Sequence, residues 1–355
     1  MNKRIQILDC TLRDGGLALE DAEKNDIASV HFNDGDIDNL IAHLTESEID
    51  IIELGSIEIT NDDRRGFAIY HNIVNISKKI PTKKDKNQLF AALYRGPDTP
   101  IEDIPDWNPE LCDAIRVIIR YSELKKSLDF CTALSKKGYK VFVQPMLTMR
   151  YTDEEIQLLI DASNDMDAYA LYFVDSYGYM QSEDVQSLFE RYNNGLKSSI
   201  RIGFHAHNNM NLAFGNVLSF IEKDTSRKII VDSCILGMGQ GAGNLQTELF
   251  AGYINSIEAG KYKYSAILDA CEIVEKYGEQ SLWGYSVTRM LPAIHKTAYK
   301  YAIELRKHYL LAYRDIDQIL SEMPEDLKQR YTPENTVELL KCTGFEIKVK
   351  VEDSQ

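Results

Sequence analysis

Ile5-Gln6-Ile7-Leu8-Asp9 runs straight into Cys10-Thr11-Leu12-Arg13-Asp14-Gly15-Gly16. A short apolar, β-rich run that ends in charged and glycine residues reads as a buried strand whose carboxyl end carries function. Similar apolar runs recur along the chain, at residues 50–54, 88–94, 114–119, 140–145, 170–174, 200–207 and 229–235. The segments between them show helical spacing, as in Ile37, Leu40, Ile41 and Leu44, or in Ile156, Leu159 and Ile160. Thr152 followed by Asp153, Glu154 and Glu155 is a helix start. Eight strand and helix units in about 250 residues is the size of a (β/α)8 TIM barrel, whose binding groups gather at the carboxyl ends of the strands. A doubly wound open sheet is the competing α/β architecture.

Beyond residue 260 the pattern turns helical, with one further strand-like run at 345–351. The expected division is therefore a catalytic barrel over 1–260 and a mainly helical C-terminal extension over 261–355, serving as a cap or as the dimerisation region of a homodimer. Within 282–305, Trp283, Tyr285, Arg289, His295, Tyr299 and Tyr301 are expected chiefly to pack.

Fifty-five acidic against 40 basic residues leave a net charge of −15, which excludes an extended nucleic-acid surface. The start of the chain lacks the pattern of a secretory signal, and no apolar stretch is long enough to cross a bilayer. Six cysteines without a CxxC spacing argue against a zinc ribbon or a dithiol redox site and fit a reduced, cytoplasmic protein. Cys10 and Cys234 are read as small buried hydrophobes with no catalytic role.

The chemistry-bearing residues lie at strand ends. His205-Ala206-His207 ends the seventh strand, where a period of two sends both imidazoles to one face and lets them share an ion. Paired histidines also occur as ordinary core or loop residues. In a barrel the ends of the first and seventh strands share a rim, so Arg13 and Asp14 come to the imidazoles. Asp14 offers an anionic oxygen, and Arg13 a planar fork for a carboxylate or a developing enolate; alone, the two would read as a turn salt bridge. After the eighth strand, Leu236-Gly237-Met238-Gly239-Gln240-Gly241-Ala242-Gly243-Asn244 lets backbone approach a ligand but lacks the Lys-Ser/Thr ending of a P-loop. Asn244, expected at the start of the next helix, reads as a cap or as a neutral oxygen near the metal.

Leu8-Asp9-Cys10-Thr11-Leu12-Arg13-Asp14-Gly15, Gly203-Phe204-His205-Ala206-His207-Asn208 and Gly237-Met238-Gly239-Gln240-Gly241-Ala242-Gly243-Asn244 together resemble the DRE-TIM metallolyase superfamily, most closely its 4-hydroxy-2-oxovalerate aldolase branch (HMGL-like). Ile115-Arg116-Val117 and Val174-Asp175-Ser176 are weaker echoes. The resemblance implies a divalent ion, Mn2+ or Mg2+, on Asp14, His205 and His207, an enolate-stabilising Arg13, and Asn244 as a further ligand. It also implies a histidine base three positions after the metal aspartate, where this chain has Leu17; Arg120 likewise departs from the pattern.

The expected function is accordingly a metal-dependent aldolase that makes or cleaves a C–C bond through the enolate of a 2-oxo acid such as pyruvate, with an aldehyde as partner. A metal-bound water, His31 or Tyr285 is left to act as base. Acyl-CoA condensation or cleavage, as in isopropylmalate synthases and hydroxymethylglutaryl-CoA lyases, is the alternative within the same chemistry. A catalytically silent barrel acting as a scaffold is the alternative outside it.

Overall fold

The computed structural model describes residues 4–25, 27–60, 62–82, 87–223, 225–278 and 282–344. The strand-like run at 345–351 lies outside the described residues. The strands are β1 (Ile5–Asp9), β2 (Ile51–Ile57), β3 (Ile69–Tyr70), β4 (Leu89–Tyr94), β5 (Ala114–Ile119), β6 (Lys140–Pro145), β7 (Ala170–Asp175), β8 (Arg201–Ala206) and β9 (Ile229–Ser233). All pair in parallel in the order β1-β9-β8-β7-β6-β5-β4-β2, and β1 pairs back onto β2, which closes an eight-stranded barrel. The two-residue β3 is a side pairing on β2.

The helices are α1 (Thr11–Lys24), α2 (Asp34–Glu46), α3 (Ile73–Ser77), α4 (Leu124–Lys136), α5 (Asp153–Asp165), α6 (Ser182–Gly195), α7 (Ala213–Ile221) and α8 (Thr247–Ile257). They are followed by α9 (Tyr264–Gly278), α10 (Val287–Ile294), α11 (Lys300–Lys307), α12 (Tyr313–Ser321) and α13 (Pro333–Cys342). The fold is thus a TIM barrel with additional C-terminal helices. Thr152 caps α5 in a reciprocal bond with Glu155, as the sequence signal demands.

Both faces of each strand are buried, which is why the strands read as continuous apolar runs. One set of alternate residues, including Ile7, Ile52, Ile115, Val141, Leu171 and Val231, packs outward against the helices. The other set, Leu8, Ile51, Ala91, Ala114, Phe142, Ala170, Tyr172 and Ile230, fills the barrel. Tyr172 takes so much of that space that a side chain at Gly203 would start 2.3 Å from its ring. The interior is therefore a solid floor, with Glu53, Arg116, Asp232 and His205 in the layer above it at the carboxyl ends of the strands.

The stretch that closes β1 is not a loop: Thr11 to Gly16 form the first part of α1, which begins two residues after the strand, and the Asp14 amide already donates to the Cys10 carbonyl at 2.9 Å. The glycine pair serves helix packing instead: a Cβ on Gly16 would lie 1.9 Å from the Phe67 carbonyl oxygen. Contrary to expectation, Asn244 does not start a helix. It pairs with His207 in an isolated antiparallel bridge, and α8 begins three residues later.

The barrel's apolar core continues through α9 to Leu282 and Trp283, while Leu291, Tyr301, Leu305, Ile316, Ile319, Leu320 and Leu339 form a separate cluster among α10 to α13. That second unit reaches back to the rim. Trp283 donates to the Leu236 carbonyl at 2.9 Å, Asn209 to the Arg289 carbonyl at 3.1 Å, and Tyr299 to Asp21 at 3.0 Å. Among the described residues no helix is long and apolar enough to cross a membrane.

Candidate metal centre

Helix α1 starts so close to β1 that Arg13 and Asp14 lie in its first turn at the carboxyl end of that strand, where the helix dipole favours the Asp14 carboxylate. The following segment of chain after β9 returns alongside β8: Asn208 donates to the Gly243 carbonyl at 2.8 Å and Leu245 to that of Ala206 at 3.2 Å. This lays Asn244 between the ends of β8 and β9. Its side-chain amide donates to Asp14 Oδ2 at 3.1 Å, to Cys234 Sγ at 3.2 Å and to the Met238 carbonyl at 3.2 Å. Glycine is required beside it, because a Cβ on Gly239 would lie 2.3 Å from Asn244 Nδ2.

Charged groups alternate in a closed ring at this layer. Asp14 is paired with Arg13, whose Nε donates to Glu53 at 2.8 Å; Glu53 also accepts from Arg116 Nη1 at 2.7 Å. Arg116 is paired with Asp232, which holds His205 Nδ1 at 2.9 Å, and His205 Nε2 returns to Asp14 Oδ2 at 3.5 Å. Each member of the ring is at most 6% exposed. Burying the charges of Asp14, Arg13, Glu53, Arg116 and Asp232 is tolerable because each faces an opposite charge, while His205 links Asp232 to Asp14. Glu53, Arg116 and Asp232 carry this order, and sequence reading left Glu53 and Asp232 aside because they sit within apolar strand runs. Their inward register, two residues from Ile51 and from Ile230, was the available signal.

The titration behaviour suits a ligand set. Burial lowers the His205 pKa against the opposing pull of Asp232, and burial together with the neighbouring His205 holds His207 well below the usual histidine value. Both imidazoles are therefore neutral and have lone pairs to give. Asp232 is held below the ordinary carboxylate range because Arg116 and His205 outweigh the upward push of burial. The Asp232 bond to Nδ1 leaves Nε2 of His205 as the free donor on the Asp14 side, the usual arrangement behind a metal-bound histidine.

Asp14, Arg13, His205 and Asn244 are thus brought into contact. His207 stands next to His205 with ring centroids 5.1 Å apart. The compact groups of ligand atoms among the described residues are Cys10, Asp14 and Cys234, and Cys10, His205 and Asp232, so His207 lies outside both. A decisive sign of fit is Asn244 Oδ1, buried and without a hydrogen-bond partner beside the Asp14 carboxylate. An oxygen, a carboxylate and neutral imidazoles are a donor set for a divalent ion of intermediate hardness.

His31 and Tyr285 are not brought to this cluster. His31 is exposed and paired with Glu23, nine residues beyond Asp14 on α1, or about 13 Å at 1.5 Å per residue. Tyr285 is 57% exposed and lines a cavity of about 400 Å³ with Asn208, Leu236, Ala242, Gln246 and Trp283. Leu17 lies one turn past Arg13 on α1 and is partly buried.

A closed parallel barrel with a buried polar ring at the carboxyl ends of its strands is the layout of a barrel enzyme. A family profile described as HMGL-like matches residues 115–275. The chain is 27% identical to a 4-hydroxy-2-oxovalerate aldolase of Thermomicrobium roseum over 267 residues, covering 71% of this chain and 67% of that protein. The N-terminal domain of a candidate aldolase from Bacteroides vulgatus superposes with a TM-score of 0.71 at 25% identity, over 86% of this chain and 97% of that one. The hydroxymethylglutaryl-CoA lyase of Pseudomonas aeruginosa shares the fold, with a TM-score of 0.58 at 16% identity over 78% and 94% of the two chains. The chain thus shares the fold of these aldolase and lyase structures.

Proposed function

We propose that this chain is a divalent-metal-dependent C–C lyase of the aldolase type, acting on the enolate of a 2-oxo acid such as pyruvate with an aldehyde partner, a reading supported by its similarity to proteins named 4-hydroxy-2-oxovalerate aldolase. The observation that carries the reading is the ring of buried polar groups that sets the Asp14 carboxylate opposite His205 Nε2, with the Asn244 amide bonded to Asp14 and its Oδ1 left without a partner. Asp14, His205 and His207 would hold the ion, with Asn244 Oδ1 as a further oxygen. When bound, a divalent ion there supplies Lewis-acid stabilisation of the enolate oxygen.

The protein's own groups do the rest. Arg13 is fixed by Glu53 through Nε and by Asp14 through Nη1, which leaves Nη2 without a protein acceptor among the described residues. That N–H is available to a substrate carboxylate or enolate oxygen, already oriented and in a site shielded from water. Asp232 and Arg116 keep His205 in one tautomer and orientation.

Exchange of the pyruvate methyl protons with deuterium tests the proposal without knowledge of the aldehyde. With Mn2+ or Mg2+ the full chain should catalyse exchange, and Asp14→Asn or His205→Ala should lose both bound metal and exchange. Arg13→Lys should keep the metal and lose about 10²–10³ in rate, because an ammonium cannot reproduce the held fork. Wild-type protein that takes up no divalent ion, or that binds one yet exchanges no proton of any short 2-oxo acid, would sink the reading.

A further inference from the structure

Cys10 and Cys234 follow the paired residues Asp9 and Ser233 of neighbouring strands, and both are fully buried. Their sulfurs are 3.4 Å apart. Both belong to the apolar cluster that fills the barrel, yet their sulfurs also touch the polar ring above it: Cys10 Sγ lies 3.5 Å from Asp14 Oδ2, and Cys234 Sγ accepts the Asn244 amide at 3.2 Å. The ligand atoms of Cys10, Asp14 and Cys234 all lie within 4.8 Å of one another. Beside them is Asn244 Oδ1, buried and without a partner.

We infer that this end of the barrel contains a second, thiophilic metal site, formed by Cys10, Cys234 and Asp14 and completed by Asn244 Oδ1 once the side-chain amide that now faces Cys234 and Asp14 turns over, which takes Zn2+ or Cd2+ and competes for the Asp14 carboxylate with the site assigned above. The separation of the sulfurs favours this over simple packing. Two sulfurs on one tetrahedral zinc, each at about 2.3 Å, are about 3.8 Å apart, so a shift of a few tenths of an ångström suffices. Binding is an exchange without oxidation: two S–H bonds break, two S–metal bonds form, and two protons leave to solvent. The ion with two thiolates and one carboxylate carries a net −1, and Arg13, already paired with Asp14, faces that charge. Magnesium and manganese prefer oxygen ligands over thiolates, so thiolate ligation selects a different class of ion from the one proposed for catalysis.

The site uses Asp14, as does the proposed function, but its test is spectroscopic and independent of turnover. Metal-free full-length protein titrated with Cd2+ should develop a thiolate-to-metal charge-transfer absorption that saturates at about one equivalent, with about two protons released per ion. Mn2+ should produce no such band. Cys10→Ser and Cys234→Ser should each lower the apparent Cd2+ affinity at least tenfold and reduce the band, while His207→Ala should keep it. Wild-type protein that binds Cd2+ without the band, or a band unchanged in both serine variants, overturns the inference. Because the first of these readings needs only the wild-type chain, a variant that fails to fold does not shield the proposal. A band in a protein that exchanges no pyruvate protons would support this site and count against the catalytic reading alone.

Discussion

Leu17 is the residue at which the site departs from what the resemblance implies. It stands four positions after Arg13 on α1, so it shares that residue's helix face and lies partly buried one turn further on. A leucine transfers no proton, and a base must come from elsewhere. His31 is held at the far end of α1 by Glu23. Tyr285 is nearer in connectivity, since its cavity is lined by Asn208, the residue after His207. If the exposed Tyr285 closes onto the site with substrate and acts as the base, Tyr285→Phe should lower pyruvate exchange by about 10²–10⁴, the usual cost of losing a general base. His31→Ala should leave the rate within about twofold, and Leu17→His should add little while Tyr285 is intact. A strong gain from Leu17→His with no loss in Tyr285→Phe would show that the base was lost and never replaced. The rates of the three variants beside wild type decide it.

At the scale of elements, α1 is the part on which the site depends, because its first turn supplies both Arg13 and Asp14. Its seat is set by Gly16, whose α-carbon touches the loop before β3 so closely that no Cβ fits without moving the Phe67 carbonyl. Gly16→Ala should gain slightly in helix propensity yet destabilise the chain by about 1–3 kcal/mol through forced displacement. Chemical denaturation should show the loss, and divalent-ion affinity should fall with it because Asp14 moves with the helix. Stability equal to wild type with undiminished metal binding would mean that the contact is slack. This element also marks the limit of sequence reading. The strands were legible because burial on both faces makes them continuous apolar runs, and Thr152 and Glu155 announced a helix by local bonds. The helix across Gly15-Gly16 had no local signature, because Gly16 answers to a contact with Phe67, some fifty positions away, and Gly15 to one with Met238, and local signals carry no such information. For the same reason Asp14, His205 and His207 could be singled out by spacing and strand position, whereas the ring through Glu53, Arg116 and Asp232 spans four strands and has no local signature.

Across the whole molecule the barrel mouth is tied by ion pairs between segments far apart in sequence, and Glu20 is the focus of one set. Its carboxylate, 5% exposed, accepts from Lys24 at 2.7 Å on its own helix, from Arg64 in the loop before β3, and from Arg95 at 3.0 Å after β4. Burial alone would raise its pKa, but the hydrogen bonds from Lys24 and Arg64 and the attraction of Arg95 overcome it and pull the pKa from 4.5 to about 2. A folded-state pKa below the unfolded one means that the native chain binds fewer protons, so this group's stabilisation is present above pH 4.5 and is lost as pH falls toward 2. The difference corresponds to roughly 3 kcal/mol at neutral pH, an upper figure given the partial exposure of Arg64 and Lys24. Glu20→Gln should therefore be less stable than wild type at pH 7, and the gap should close between about pH 5 and pH 2, with both proteins converging in acid. Urea unfolding across that range measures it. A gap that stays constant with pH would show that Glu20 contributes by packing and that its charge does not fasten α1 to the mouth of the barrel.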